Sequence, residues 1–470
     1  MTLTPGDFGA SFKGFLDQMS ANVPTEDPVF VKHLRVHFGE DPSTLPIIAQ
    51  KFDAYELANV HLALEEYLKG PERAANLLGV TANDFLGTSL ADLVAPPKAG
   101  LIGGGMAVSE GPVQYVNVQL AGEQMVTCVQ SGLFLISNGD DRMAALLRAS
   151  DNRHLRAKTT IEVMGRNREA GEKFLAEIRT IMRKRSIYRG QVVSIGLDEL
   201  HSMQVKFHRL DKIERQNIIL PKGLLGRIER QTIGFSKHSA ALMAAKRHLK
   251  RGLLLHGKPG TGKTLTAMYL AGQMPDRTVI LLTGRGLSMI EQSCSLARAL
   301  EPATVILEDV DLIAEERTRA NACGSLLFEL LNEMDGLRND ADVLFILTTN
   351  RPEILEPALS ARPGRIDQTF EVPLPDIDCR RQLFTLYADG LSLKLEQTDK
   401  FIERTKGASP AFIKELFRKA ALFAADDSNP IEVRDKHVDE ALHELVVQGG
   451  DLTKSLLGFR AEKMEVGLKP

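Results

Sequence analysis

The chain has 470 residues, and its 58 Lys and Arg nearly balance 61 Asp and Glu, for a formal charge of −3. That length allows roughly two to four domains, and the charge balance argues against generic attraction to nucleic acid or to an anionic membrane. The four cysteines, Cys128, Cys294, Cys323 and Cys379, form no CxxC pair, so neither a zinc site nor a disulfide framework is expected, and a reducing cytoplasm fits best.

No run reaches the roughly 18 apolar residues of a membrane span, and "MTLTPGDFGASFKGF" lacks a signal-peptide core. Residues 1–94 read as helical: "ELANVHLALEEYLKG" repeats apolar residues three and four apart, and "PERAANLLGVTANDFLG" follows after a proline start. A Gly/Pro-rich linker is expected over 95–112. An α+β domain is expected over 113–215, with strands in "VQYVNVQLA", "MVTCVQSGLFLISNG", "TTIEVM", "GQVVSIGL" and "MQVKFHRL" and a helix in "NREAGEKFLAEIRTIMRKR". Arg179, Arg183, Lys184, Arg185 and Arg189 read as a solvated helix face, because no aromatic residues that could stack bases are interleaved.

From 220 to 375 the strand-like runs "RGLLLHG", "TVILL", "TVILE" and "VLFILTTN" alternate with helical stretches, which predicts a parallel sheet with crossover helices. Residues 376–450 read as an all-helical bundle and 451–470 as a tail.

"RGLLLHGKPGTGKTLTAMYLAG" runs strand, glycine loop, helix. Within Gly257, Lys258, Pro259, Gly260, Thr261, Gly262, Lys263 and Thr264, the glycines allow consecutive amides to face phosphate oxygens. Lys263 can reach the β/γ oxygens, and the Thr264 hydroxyl can bind Mg²⁺. ATP with magnesium is the expected ligand.

About forty-five residues on, "VILEDVD" ends a second apolar run. In this layout the first acid orients magnesium through water and the second polarises the water that attacks the γ-phosphate. Here Glu308 precedes Asp309, the reverse of the usual order. Both types can serve either role, since their unperturbed pKa values differ by about half a unit.

"GSLLFELLNEMDGL", "VLFILTTNRPEILEPAL" and "RPGRID" follow. Together with the glycine loop they resemble the AAA family of ATPases over about residues 220–448. The resemblance implies an α/β P-loop module with a helical lid, working as a homo-oligomeric ring, usually a hexamer, on a protein substrate. It implies that Asn350 positions the attacking water and that Arg362 and Arg365 face a neighbour's γ-phosphate; an extra residue in "PALSARPGR" leaves open which is nearer. Asp311 matches the last acid of the family's D-E-x-D stretch. Ile233 and Gly234 match an adenine-pocket strip, and Ser409 and Ala411 match the lid's nucleotide contact. "LTGRGLSMIEQS" is short where many members carry an aromatic loop that grips polypeptide. It offers only Leu287, Met289 and Ile290, which argues against threading.

The leading expectation is therefore a ring ATPase that remodels a protein complex recognised by the N-terminal region. An ATP-controlled assembly chaperone or scaffold with slow or no turnover is the alternative. Proteolysis is not expected, because no HExxH occurs and His443-Glu444 is followed by Leu445, Val446 and Val447.

Overall fold

The computed structural model describes residues 6, 8–9, 11–15, 28–81, 88–95, 108–149, 158–199, 203–249, 251–312, 326–336, 341–355, 366–427 and 429–448. The chain divides into two compact units, Met1–Ile187 with Leu197–Val205, and Tyr188–Gly196 with Lys206–Pro470.

In the first unit an antiparallel sheet runs β1 (Ile47–Asp53), β7 (Lys158–Gly165), β6 (Asp141–Ala149), β5 (Met125–Asn138), β2 (Arg73–Thr81), β3 (Ser109–Gly111). A seventh strand, β4 (Gln114–Gln119), pairs with the first half of β5. Both faces are covered, so the middle of β5 is apolar at consecutive positions. Leu133 and Leu135 pack with Phe30, Leu34, Phe38, Leu90 and Leu93. Phe134 and Ile136 face the other way, onto Val60, Leu64, Tyr67, Phe174 and Ile178 of helices 57–68 and 168–185.

The helical reading of residues 1–94 needs correction, since β1 and β2 are strands of this sheet. "RAANLLGV" is Ala- and Leu-rich and favours helix in isolation. Pairing with β5 and burial of Leu78 and Val80 on one face override that preference. Gly79 is required there: a Cβ would lie 2.2 Å from the carbonyl oxygen of Gly111. The basic cluster is a solvated face over Arg179–Arg185, where Arg185 pairs with Glu66 at 2.9 Å and Arg179 donates to Gln50 at 3.2 Å.

The second unit holds a sheet in the order β14 (Gln368–Glu371), β10 (Arg251–His256), β13 (Val343–Thr349), β12 (Ala303–Leu307), β11 (Thr278–Leu282), β8 (Val192–Leu197), β9 (Met203–His208). From β14 to β8 neighbouring strands are parallel. Every residue of β11, β12 and β13 is buried, as expected where helices cover both faces. The strands β8 and β9, which the sequence grouped with the preceding α+β segment, extend this sheet beyond β11. No compositional break precedes them, so only the pairing reveals where they belong.

Four helices, 377–387, 398–404, 410–427 and 435–443, build the lid around Phe384, Phe401, Phe412, Phe417 and Leu442. It is not all-helical: β15 (Ser392–Lys394) and β16 (Glu432–Arg434) pair in parallel. Strands of three residues are too short to leave a period in the sequence. Residues 451–470 and most of the expected linker lie outside the described residues. Among the described residues no helix is long and apolar enough to cross a membrane.

Candidate nucleotide site

The strands of the parallel sheet deliver their C-terminal ends to one edge, where β10 runs into the glycine loop and β12 and β13 run into the acids and Asn350. That edge is where open α/β sheets bind ligands. Gly257, Gly260 and Gly262 have φ of 152°, 75° and 95°, a region that side chains avoid. A Cβ on Gly257 would also stand 2.3 Å from the Val372 carbonyl oxygen. Thr261 pins the loop by donating from its hydroxyl to the Lys258 carbonyl at 2.9 Å, while Lys258 and Pro259 are exposed. Helix 263–272 starts at Lys263, so its N-terminal amides and partial positive charge face the loop.

Lys263 is buried, and its ammonium group donates to the carbonyls of Gly257 (3.0 Å) and Lys258 (2.9 Å) and to Asn350 Oδ1 (2.7 Å). Asn350 Nδ2 in turn donates to Asp309 Oδ1 at 2.9 Å. Lysine, asparagine and aspartate thus form one chain linking the segments that follow β10, β13 and β12. Burial pushes the Lys263 pKa down to about 8, against the raising effect of the Asp309 and Asp311 charges.

The reversed acids find a physical reason in the backbone. Asp309 has φ of 50°, the left-handed region. Most residues are strained there by about 1–2 kcal/mol, but Asp and Asn tolerate it through local hydrogen bonds. The shorter acid therefore stands where the chain turns left. Its amide donates to Thr348 Oγ1 at 3.1 Å, and its carboxylate meets Asn350.

Glu308 is half-buried, and its Oε1 is buried without a hydrogen-bond partner. Burial, then the Asp309 charge, raises its pKa. An orphaned carboxylate oxygen at the C-terminal end of β12 fits a magnesium ion held through water, with the exposed Thr264 at the helix start as a second oxygen. No cluster of three or more His, Cys, Asp or Glu among the described residues could hold a metal alone.

The lid closes on the loop at Gly260, whose carbonyl accepts from the Ala411 amide at 3.2 Å. A Cβ on Gly260 would come within 2.8 Å of Ser409 Oγ. Ser409 itself caps helix 410–427, accepting from the Phe412 amide at 3.1 Å.

Ile233 and Gly234 are not brought to the loop. They lie in a π-helical turn, Arg230–Gly234. The residues around them bind the opposite sheet edge: Gln231 accepts from Arg251, Phe235 lies 4.8 Å under the Arg251 guanidinium, and Ser236 is 3.4 Å from Arg277. Arg251 opens β10 while the loop leaves after His256, at the far end, a separation of about 16 Å at 3.3 Å per residue. The adenine assignment of Ile233 and Gly234 is therefore withdrawn.

Arg362 and Arg365 lie outside the described residues. In the short segment after β11, a 3₁₀ turn spans Gly284–Met289, Met289 is half-buried and Ile290 is buried. Sequence reasoning passed over Thr348 and Thr349, and matched Asp311 to a motif without giving it a role. The signal was two threonines closing an otherwise apolar buried strand.

Comparison with known proteins agrees with this geometry. Residues 253–374 match the family model described as "ATPase family associated with various cellular activities (AAA)". A proteasome-activating nucleotidase of Methanothermobacter thermautotrophicus is 34% identical over 191 residues, 38% of this chain and 46% of the relative. The 26S proteasome regulatory subunit 4 homolog B of Arabidopsis thaliana is 35% identical over 188 residues, covering 37% and 42%. The ATP-dependent zinc metalloprotease FtsH of Mycoplasmopsis pulmonis is 31% identical over 239 residues, covering 48% and 32%. The chain spans less than half the length of each of these three relatives.

Proposed function

Because residues 253–374 belong to the AAA family of ATPases, we propose that this protein binds ATP with magnesium and hydrolyses it to remodel a protein complex. The observation that carries this is the Lys263–Asn350–Asp309 chain, which joins the phosphate loop to the acid that would polarise water. Lys263 would exchange its bond to Asn350 for the β/γ oxygens. Asn350 would then orient the attacking water against Asp309, which accepts its proton. Thr264 and the orphaned Glu308 oxygen would hold magnesium, whose chemistry is to neutralise charge on the phosphates.

The relatives named for proteasome activation and regulation support a protein substrate and a homo-oligomeric ring, and in such a ring Arg362 and Arg365 would reach the neighbour's γ-phosphate. The first unit, with its separate sheet, is the natural place for partner recognition. Where the base sits is open to a replacement for Ile233 and Gly234. Ile218 belongs to the α/β core and Ile219 packs on the lid core, so that stretch runs between the two. One observation favours the alternative reading, an ATP-controlled chaperone that does not thread polypeptide: Ile290, one of three residues available to grip a chain, is buried.

ATP turnover by the purified chain tests the reading. Asp309→Asn should still bind ATP and lose turnover by about 10²–10⁴-fold. Arg362→Ala with Arg365→Ala should bind ATP but hydrolyse poorly, and mixing with Lys263→Ala protein should restore some activity. Parental turnover by Asp309→Asn would remove Asp309 from the chemistry. Full activity of the double arginine variant as a monomer in sedimentation would end the ring reading.

A further inference from the structure

Asp311 is 6% exposed and Thr349 is fully buried, two polar side chains at the end of an apolar strand pair. Asp311 Oδ1 accepts from Thr349 Oγ1 at 2.8 Å and from the Asn350 amide at 3.2 Å. Thr349 Oγ1 accepts in turn from the Arg351 amide at 3.0 Å. Beyond β13 the ladder has ended, so these two amides have no strand to bond to. A buried amide left unpaired is costly, and here one carboxylate and one hydroxyl take up both.

We propose that Asp311 is a positioning residue: by fixing the Asn350 backbone it sets where the Asn350 side chain meets Lys263 and Asp309. This rests on the ATP-hydrolysis reading of the same site. The Asn350 side chain makes bonds of 2.7 Å to Lys263 at the start of helix 263–272 and 2.9 Å to Asp309 just beyond β12, and its reach is fixed once its Cα is fixed. Without the carboxylate the turn is free to rotate, and the amide that must align water loses its bearing. Displacements on the scale of 1 Å near a reacting centre cost about 10²-fold. A buried acid serving stability alone would instead lower the melting temperature and leave the chemistry of folded molecules unchanged.

The test takes the full chain with Asp311→Ala, Asp311→Asn, Thr349→Val, Asn350→Ala and the Asp311→Ala/Asn350→Ala double variant. Asp311→Ala should lower kcat about 10–100-fold while KM for ATP moves less than about threefold. Asp311→Asn keeps an acceptor oxygen and should return to within about fivefold of the parent. The double variant should be no slower than Asn350→Ala alone, since the two act as one unit. If Asp311→Ala does not fold, Thr349→Val, which removes only the hydroxyl, carries the same measurements.

In the nucleotide-free chain, amide hydrogen exchange of peptides over residues 343–355 should quicken locally in Asp311→Ala or Thr349→Val. Unchanged kcat per folded molecule, additive losses in the double variant, or unchanged exchange would each overturn the proposal. A parent with no turnover but with the local exchange change would sink the ATPase reading and leave the clamp standing.

Discussion

Two buried cations stand at opposite edges of the same parallel sheet, and they are held in opposite ways. Arg277, at the N-terminal edge, is 3% exposed. It donates to Thr304, to the Asp342 carboxylate at 2.7 Å, and to the carbonyls of Ala303 and Asp342. Its counter-charge is permanent and in contact. Lys263, at the C-terminal edge, spends its protons on two carbonyls and the amide oxygen of Asn350. The Asp309 and Asp311 charges act on it without displacing those neutral partners. In this sheet the cation that closes the fold carries its own anion, whereas the one that awaits a ligand is left short of one. The phosphate is the missing partner.

The comparison predicts that the two cations fail differently. Arg277→Ala should have the largest effect on stability, about 3–5 kcal/mol, because it strands the Asp342 carboxylate. ATP affinity of the molecules that remain folded should be unchanged. Denaturant unfolding and calorimetry on the same samples separate the two quantities. A variant that unfolds normally but has lost ATP would mean the N-terminal edge takes part in the site.

Lys263→Ala should do the reverse. Losing a charge-assisted contact to the phosphates weakens ATP by roughly 100-fold, while removal of a buried ammonium with no contacting anion leaves the melting temperature level or higher. A large loss of stability with ATP affinity intact would erase the distinction between the two edges.

Much of the site was legible because its residues are dictated by local chemistry. Gly257, Gly260 and Gly262 must take φ values open chiefly to glycine, and Lys263 follows at the one spacing that reaches phosphate. The order Glu308–Asp309 was legible too, but its reason was not: the left-handed turn at Asp309 depends on Thr348, some forty residues away. Ile233–Gly234 misled because a short glycine-containing strip carries little information, and a π-helical turn satisfied its backbone elsewhere. In the first unit, "RAANLLGV" read as helix since its strand character comes from pairing with β5. The same holds for β8, whose place beside β11 is a long-range fact. Arg277 carries no motif, and the motif match of Asp311 gave it no role. Only three-dimensional neighbours distinguish them from surface charges.

The smallest predicted effect extends the comparison to the first unit, where Glu56 is a half-buried acid with a neutral partner. Its Oε2 accepts from Asn59 Nδ2 at 2.7 Å, and Asn59 Oδ1 accepts from the Ile187 amide at 2.9 Å. Burial pushes the Glu56 pKa up to about 7 from 4.5; the Asn59 bond lowers it and the Asp53 charge raises it. The unfolded chain thus ionises first. Below pH 4.5 the acid is protonated in both states and its contribution is fully present. As pH rises toward 7 the folded state holds a proton that the unfolded state has released, and stability falls. A rise from 4.5 to about 7 is worth at most about 3.4 kcal/mol; solvent screening of the half-buried carboxyl brings the loss to the order of 2 kcal/mol, levelling off above the folded pKa. Glu56→Gln keeps the acceptor for Asn59 and removes the titration, so its unfolding should be flatter across this range and the variant more stable at pH 8. Thermal melts of the parent and variant between pH 5 and 8 decide it. Parallel curves would mean that water reaches Glu56, and that a half-buried ion in this unit needs no charged partner.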